Sequence, residues 1–370
     1  MRIGLDGRFY RSSTAGIGRY TRELVKNLLA IDGETEYVLF ITPADAPECQ
    51  IFAPNLKKVI VPIRHFTIGE QLKLPKILKS YDLDLMHFLN FNHPMIYRAP
   101  YITTIHDLTM NFFPVGKQKL PILRQAYLMN MSHAASAANR VIVPTQTVKD
   151  DVVKHLSAPK DKVEVIYEGA TAPAHALVKP KKEYLKEIMI TKPYILFVSQ
   201  WRPHKGLGML VEAFSQIKKQ HDIQLIITGT PNSQFPEIPA AIEASPERAD
   251  IITPGFVSDE LLDALFVGTE LFVFPSWYEG FGLPPLEAMA RGTAVASSNS
   301  SVMPEILGDA AVYFDPKDPK DIAKVISETL GNSKKLDELK EKGKRQAAKY
   351  SWKKMAQETL SLYRAVLEKK

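Results

Sequence analysis

The 370-residue chain carries 47 Lys+Arg and 41 Asp+Glu for a formal charge of +6, with 45% hydrophobic residues and a single cysteine, Cys49. That is ordinary soluble-protein composition on a chain too long for one core, so two domains are expected, and an internal disulfide is excluded. No uninterrupted apolar stretch reaches membrane-spanning length, and the opening MRIGLDGRFYR, charged at Arg2, Asp6 and Arg8, is unlike a signal peptide, so a cytoplasmic protein is expected. Residues 1–180 hold 22 Lys+Arg and 16 Asp+Glu, whereas residues 181–370 hold 25 of each. The net positive charge therefore belongs to the first half, and such a surface attracts phosphates of nucleic acid or anionic lipid alike. The interleaved basic and aromatic pattern of a nucleic-acid module is absent, so no nucleic-acid partner is expected.

Strand-like apolar runs alternate with helical stretches along the chain. RIGLD leads to a helix over about 18–31, then YVLFIT and VIVP; LMHF, PYITTIHD, a long helix near 120–138, RVIVPT and VEVIYEG follow. Strands separated by helices imply parallel βαβ units with helices on both faces of the sheet. Residues 171–193, with three prolines and a lysine cluster, predict an interdomain connection. A second series comprises YILFVS, a helix near 206–219, IQLIIT, DIIT, LFVF, TAVAS and AAVYF. From 318 to 370 the pattern is helical, with a break near 350–351.

The most informative run is FVFPSWYEGFGLPPLEAMARG, residues 272–292. It predicts a strand, a glycine-punctuated loop, and a helix that opens at Pro284–Pro285 and stops at Gly292. Glu279 falls in the loop and Glu287 in the first helical turn. Gly280 and Gly282 let the backbone approach a ligand, and a helix N-terminus favours phosphate. Two carboxylates beside an anion cradle suit a nucleotide-sugar, although any strand–loop–helix unit carries a glycine or two. AGIGRYTREL places Gly16, Gly18 and Arg19 at another strand-to-helix turn. SQWRPHKGL sets Arg202 and Lys205 against the positive end of a helix dipole, which predicts an anion between them. ITTIHDL puts His106 and Asp107 at a strand's carboxyl end, where α/β sheets bind ligands.

With its aromatic flank, Gly-Phe-Gly and Pro-Leu-Glu-Ala, the run from Glu279 to Glu287 resembles the Glu-x7-Glu motif of retaining glycosyltransferases of family 4. The likeness covers essentially the whole chain. It implies the α/β GT-B fold, two doubly wound Rossmann-like domains facing a central cleft. Residues 1–175 would form the acceptor-binding domain, completed by a C-terminal helix, 351–370, crossing back; residues 190–350 would form the nucleotide-sugar donor domain. By the same likeness, Glu287 clamps the ribose, and Glu279 and His106 contact the transferred sugar as the catalytic pair. Asp107 either shares that role or only orders its turn. Gly16, Gly18, Arg19, Arg202, Lys205, Gly280, Phe281, Gly282 and Leu283 line the donor, and Gly255, Phe256 and Val257, in PGFV, meet the base.

The expected cleft holds no Asp-x-Asp metal pair, so neither metal nor other cofactor is expected, and Arg202, Lys205 and the helix N-terminus would neutralise the leaving group. The pairing of GIGRYT with RPHK resembles users of GDP-mannose in surface polysaccharide synthesis. UDP-glucose and UDP-N-acetylglucosamine users share nearly every motif, and a sugar-nucleotide 2-epimerase shares the fold. A glycan or lipid-linked glycan is the expected acceptor. Peripheral contact with an anionic membrane is expected from Lys57, Lys58, Arg64, Lys73, Lys76, Lys79, Lys117, Lys119 and Arg124, with Leu72, Ile77 and Leu78 on an amphipathic surface helix.

Overall fold

Runs such as LMHF, QLIIT and LFVF show no polar alternation because strands in a parallel sheet are covered on both faces. The computed structural model describes residues 1–116, 120–170 and 181–368. Residues 171–180 of the expected connection, Lys117, Lys119 and the final two residues of the expected C-terminal helix lie outside the described residues. The chain forms two units: Met1–Gly169 with the segment from Ser351 onward, and Ala170–Tyr350.

In the first unit the chain runs β1 (Arg2–Asp6), α1 (Ala15–Ile31), β2 (Glu36–Ile41), β3 (Leu56–Ile60), α2 (Ile68–Leu72), α3 (Leu74–Lys79) and β4 (Leu85–Phe88). It continues β5 (Tyr101–Thr104), α4 (Thr109–Phe112), α5 (Pro121–Ala137), β6 (Arg140–Val143), α6 (Gln146–Leu156) and β7 (Val163–Val165). The strands make one parallel sheet in the order β3-β2-β1-β4-β5-β6-β7.

The second unit holds α7 (Lys181–Glu187), β8 (Tyr194–Val198), α8 (Leu207–Lys218), β9 (Gln224–Thr228), α9 (Glu237–Glu243), β10 (Ile251–Gly255), α10 (Asp259–Gly268) and β11 (Leu271–Phe274). Then come α11 (Leu283–Ala290), β12 (Val295–Ser298), α12 (Met303–Leu307), β13 (Ala311–Phe314), α13 (Pro319–Leu330) and α14 (Ser333–Ala347). Its sheet is again parallel, in the order β10-β9-β8-β11-β12-β13. Both sheets reverse direction of growth at one strand pair, β1/β4 in the first and β8/β11 in the second.

Several elements differ from the sequence expectation. The lysine cluster after residue 180 is a helix of the second unit, α7, held by buried Tyr184, whose hydroxyl donates to Glu260 at 3.2 Å. The run VIVP leaves its strand at Ile60, because pairing with β2 begins earlier, at Leu56. The helical stretch after 318 is three helices: Asn332 accepts from the Lys335 N–H and restarts the chain as α14, and α15 (Trp352–Glu368) follows the expected break. GEQLKLPKILKS is two short helices, α2 and α3, divided at Lys73 ahead of Pro75, and Leu78 points into the core rather than outward.

α15 packs on α1 within the first unit, and Gly169 admits it closely: a Cβ there would lie 2.3 Å from the Trp352 nitrogen. A buried polar chain fixes its register. Tyr363 of α15 lies 2.6 Å from His87 Nδ1, His87 Nε2 lies 2.8 Å from Thr104 Oγ1, and Thr104 lies 3.1 Å from the Tyr20 hydroxyl. Burial pushes His87 down to about 3, so the ring is neutral and gives one donor and one acceptor. Tyr363→Phe strands one buried ring nitrogen and should lower the unfolding free energy of the first unit by about 1–3 kcal/mol. Urea titration of the variant against the parent measures it; an unchanged midpoint would show that the tyrosine hydroxyl carries no net stability.

Candidate active site

The loops at the carboxyl ends of β8 and β11 are packed into one structure. Gly206 makes this possible: its φ is +72°, and a Cβ would sit 2.1 Å from the Pro275 carbonyl oxygen. The Trp277 N–H donates to the His204 carbonyl at 2.7 Å, and the Ser276 hydroxyl donates to the same oxygen at 3.3 Å. Ser301 holds the far side, accepting from the Glu279 N–H at 3.3 Å and donating to the Glu279 carbonyl at 3.1 Å. Trp201 anchors the β8 loop from inside by donating to the Thr228 carbonyl at 3.2 Å.

This packing sets Lys205 Nζ 2.6 Å from Glu279 Oε1, with the two side chains 16% and 14% exposed. Two groups that the sequence assigned separately, to phosphate and to sugar, therefore form an ion pair. Arg202 precedes the tight turn Pro203–Lys205, is half-buried, and makes no ion pair among the described residues. Lys205 lies on this turn and not in the following helix. Beyond it, α8 opens at Leu207, and a Cβ at Gly208 would meet nothing within 4 Å.

α11 begins one residue before the expected proline pair, because Gly282, at φ +96°, caps it in the left-handed conformation. A Cβ at Gly282 would strike Met303 Cε at 2.4 Å. Glu287 is consequently the fifth residue of the helix and not part of its first turn; it is buried. Pro284 and Pro285 have no N–H, so the opening of α11 has fewer backbone donors than an ordinary helix start. The ring of Phe281 packs edge-on against Tyr350, 5.5 Å between centroids. On β10, Pro254 sits within an edge strand, Gly255 has φ +79°, and the Phe256 ring is 86% exposed.

In the first unit the loop after β1 is fixed by charge. Arg8, wholly buried, donates Nε and Nη2 to the two oxygens of Asp6 at 2.7 Å each, and its Nη1 stands 2.8 Å from Glu70 Oε1. Burial would raise the Asp6 pKa, yet the facing guanidinium brings it below the ordinary value. His65 donates to the Arg8 carbonyl at 2.9 Å and stacks on Phe9. Gly18 lies where a Cβ would come 2.3 Å from the Arg11 carbonyl, so only glycine fits; at Gly16 a Cβ would meet nothing within 4 Å. Arg19, half-buried, follows within the first turns of α1.

His106 follows β5 and is the most constrained of the singled-out side chains. Its Nε2 lies 2.9 Å from the Leu89 carbonyl oxygen, its Nδ1 lies 3.3 Å from Glu168 Oε1, and Tyr20 meets the ring at 82°. Burial would lower its pKa, but Glu168, the Leu89 carbonyl and Asp107 outweigh it and the net shift is upward. Asp107 accepts from the Thr109 N–H at 2.7 Å and so orders the turn. Sequence reading missed Glu168, Glu70 and Ser301. Glu168 had one usable signal, an acid just past the strand VEV, and Arg8 had another, the Asp-x-Arg at the end of β1. Among the described residues, no three His, Cys, Asp or Glu side chains gather as a metal site would need.

Comparison with known proteins agrees with this architecture. Residues 14–171 match the description Glycosyltransferase Family 4, and residues 181–346 match Glycosyl transferases group 1. The chain is 26% identical over 373 residues to the O-antigen chain mannosyltransferase B of Escherichia coli, covering 94% of this chain and 96% of that protein. It is 30% identical over 240 residues to the serotype-specific mannosyltransferase WbdA of E. coli, covering 63% of this chain and 29% of that longer protein. Among solved structures, sucrose-phosphate synthase from Thermosynechococcus elongatus superposes over the whole of both chains with a TM-score of 0.81 at 20% identity, a likeness of fold. Two family matches that adjoin over nearly the whole chain, on two parallel Rossmann-like sheets, make this protein a member of glycosyltransferase family 4 with the GT-B fold.

Proposed function

We propose that the protein transfers mannose from GDP-mannose, with retention of configuration and without a metal ion, to a glycan or lipid-linked glycan. The observation that carries the site is the pairing of Lys205 with Glu279 at the β8/β11 reversal, beside Arg202 and the glycine turn that leads to Glu287. The full-length likeness to an O-antigen mannosyltransferase supports mannose as the sugar.

On this reading the diphosphate takes Arg202, Lys205 and the backbone N–H groups of Gly280–Leu283 and of the opening of α8. Lys205 gains an anionic partner, which leaves Glu279 to accept from hydroxyls of the transferred sugar. Glu287 accepts from the ribose hydroxyls, and PGFV meets the base edge. The first unit supplies His106 and the glycine turn at Gly16–Gly18 with Arg19. As the bond from the anomeric carbon to the phosphate oxygen breaks, the acceptor oxygen bonds to that carbon on the same face. Its proton passes to the departing phosphate oxygen, so the nucleoside diphosphate leaves as base and leaving group together.

The acceptor side carries an exposed apolar and basic surface. Ile68 and Leu72 of α2 are exposed, with Lys73, Lys76 and Lys79 behind them. Exposed Phe66 reaches the Tyr127 ring of α5, whose opening exposes Leu120, Ile122, Leu123 and Arg124. Apolar side chains ringed by cations suit an anionic bilayer surface, where each basic residue contributes about 1 kcal/mol.

Three outcomes check this reading. Glu287→Ala should weaken binding of the nucleoside diphosphate by about 10- to 150-fold, the cost of charge-assisted hydrogen bonds to the ribose, while Glu279→Ala and His106→Ala should lose turnover with that affinity kept. Titration calorimetry and initial rates separate the two, and an unchanged dissociation constant in Glu287→Ala refutes the ribose role. Exhaustive chelation should leave transfer intact; loss with EDTA and recovery with Mg²⁺ or Mn²⁺ would overturn metal independence. The protein should sediment with anionic vesicles at low salt, leave them at high salt, and ignore neutral vesicles. Equal behaviour with both vesicle types would remove the membrane from the proposal.

A further inference from the structure

A buried carboxylate stands behind His106, and the hydrogen positions it demands are decided by its neighbours. Glu168 lies three residues past the end of β7, with 7% of its side chain exposed. The Leu89 carbonyl, 2.9 Å from His106 Nε2, can only accept, so Nε2 carries a proton. Nδ1 then faces Glu168 Oε1 at 3.3 Å, a second acceptor. One imidazole serves two acceptors only when both nitrogens are protonated. The neutral arrangement would need Glu168 itself to hold the proton and donate it to Nδ1.

The surroundings of the ring agree. Tyr20, from α1, presents an aromatic ring and a hydroxyl that burial keeps protonated. His87, from β4, is the nearby group that could add a like charge, and it is neutral, pushed down to about 3. Asp107, on the same loop, adds a negative charge.

We propose that Glu168 is a positioning residue of the transfer reaction: it locks His106 as an imidazolium between two acceptors. The histidine then serves as a fixed cation that aims its main chain at the carboxyl end of β5, and never as a proton acceptor. This rests on the reading of His106 as an active-site group. It explains why the proton of the acceptor hydroxyl goes to the departing phosphate: both ring nitrogens already hold hydrogens, engaged to Leu89 and Glu168. The sign of the pH dependence follows. A histidine whose pKa is raised in the folded protein is charged below that value, and both the cation and the stability it contributes are lost as pH rises through it.

Glu168→Gln is the decisive variant, because its amide donates to Nδ1 and keeps the hydrogen bond while the ring becomes neutral. Nitrogen NMR of histidine-labelled protein reads the proton directly and needs no substrate; the signal missing in His106→Gln assigns it among the nine histidines. At pH 7 both ring nitrogens of His106 should be protonated in the parent, and one in Glu168→Gln. The pH–rate profile of transfer should lose its alkaline limb at least about one pH unit earlier in Glu168→Gln, a tenfold change in the protonation equilibrium, with the donor KM within about twofold. A neutral His106 in the parent protein overturns the proposal whatever the activity. An imidazolium lost in Glu168→Gln with an unmoved pH profile overturns the role in transfer. Failure of the active-site reading itself looks different: His106→Ala then retains full turnover.

Discussion

A parallel sheet that grows in both directions from its middle must reverse at one strand pair, and the loops leaving that pair turn to opposite faces. The chain does this twice, at β1/β4 and at β8/β11. Loops that diverge there leave backbone groups and helix openings uncovered at the carboxyl edge, which is why doubly wound sheets bind ligands at that point. The loop after β1, the loops after β8 and β11, and His106 after the neighbouring strand β5 hang from these two reversals. The site is a consequence of strand order first and of residue identity second.

Residue identity then sets the electrostatics, and the recurring device is a charge taken out of water only with its partner. Arg8 with Asp6 and Glu70, His106 with Glu168, and Lys205 with Glu279 all follow it. Such pairs add little net stability over apolar packing, but removing one member leaves the other uncompensated, which costs about 3–5 kcal/mol in a fully buried pair. Their value here is orientation. Arg8 ties the loop after β1 to α2 through Asp6 and Glu70, Glu168 meets the ring of His106 at Nδ1, and Lys205 joins the β8 loop to Glu279 of the β11 loop. The last pair is also the most exposed of the three.

The fold was legible because strands covered on both faces are unbroken apolar runs, and helices betray themselves by period and caps. LFVF and LMHF coincide with β11 and β4 to the residue. Local signals failed where one side-chain cap outweighed composition. Thr145 starts α6 by accepting from the Val148 N–H, and Asn332 starts α14, inside stretches that otherwise look featureless or continuous. Glu287 was placed in the first turn because the prolines marked the helix opening, whereas left-handed Gly282 starts the helix one residue earlier and makes Glu287 its fifth residue. Glu168 offered only one weak signal, its place just past the strand VEV. A lone acid after a strand has no spacing to advertise it, and only the sheet order brings β7's end within reach of β5's.

The prolines of α11 carry a chemical consequence as well. A helix N-terminus normally offers three or four free N–H groups, and that is its strength as an anion site. Pro284 and Pro285 remove two of them, while their fixed φ stiffens the turn that orients Glu287. What this helix loses as a phosphate cradle has to be supplied by neighbours if two phosphates are to be held. Arg202 and Lys205 stand on the adjoining loop, against the dipole of α8, where a cation is disfavoured unless an anion joins it. On the proposed reading, side-chain cations at the β8/β11 reversal stand in for the backbone donors this helix lacks. The same prolines fix φ in the turn just ahead of buried Glu287.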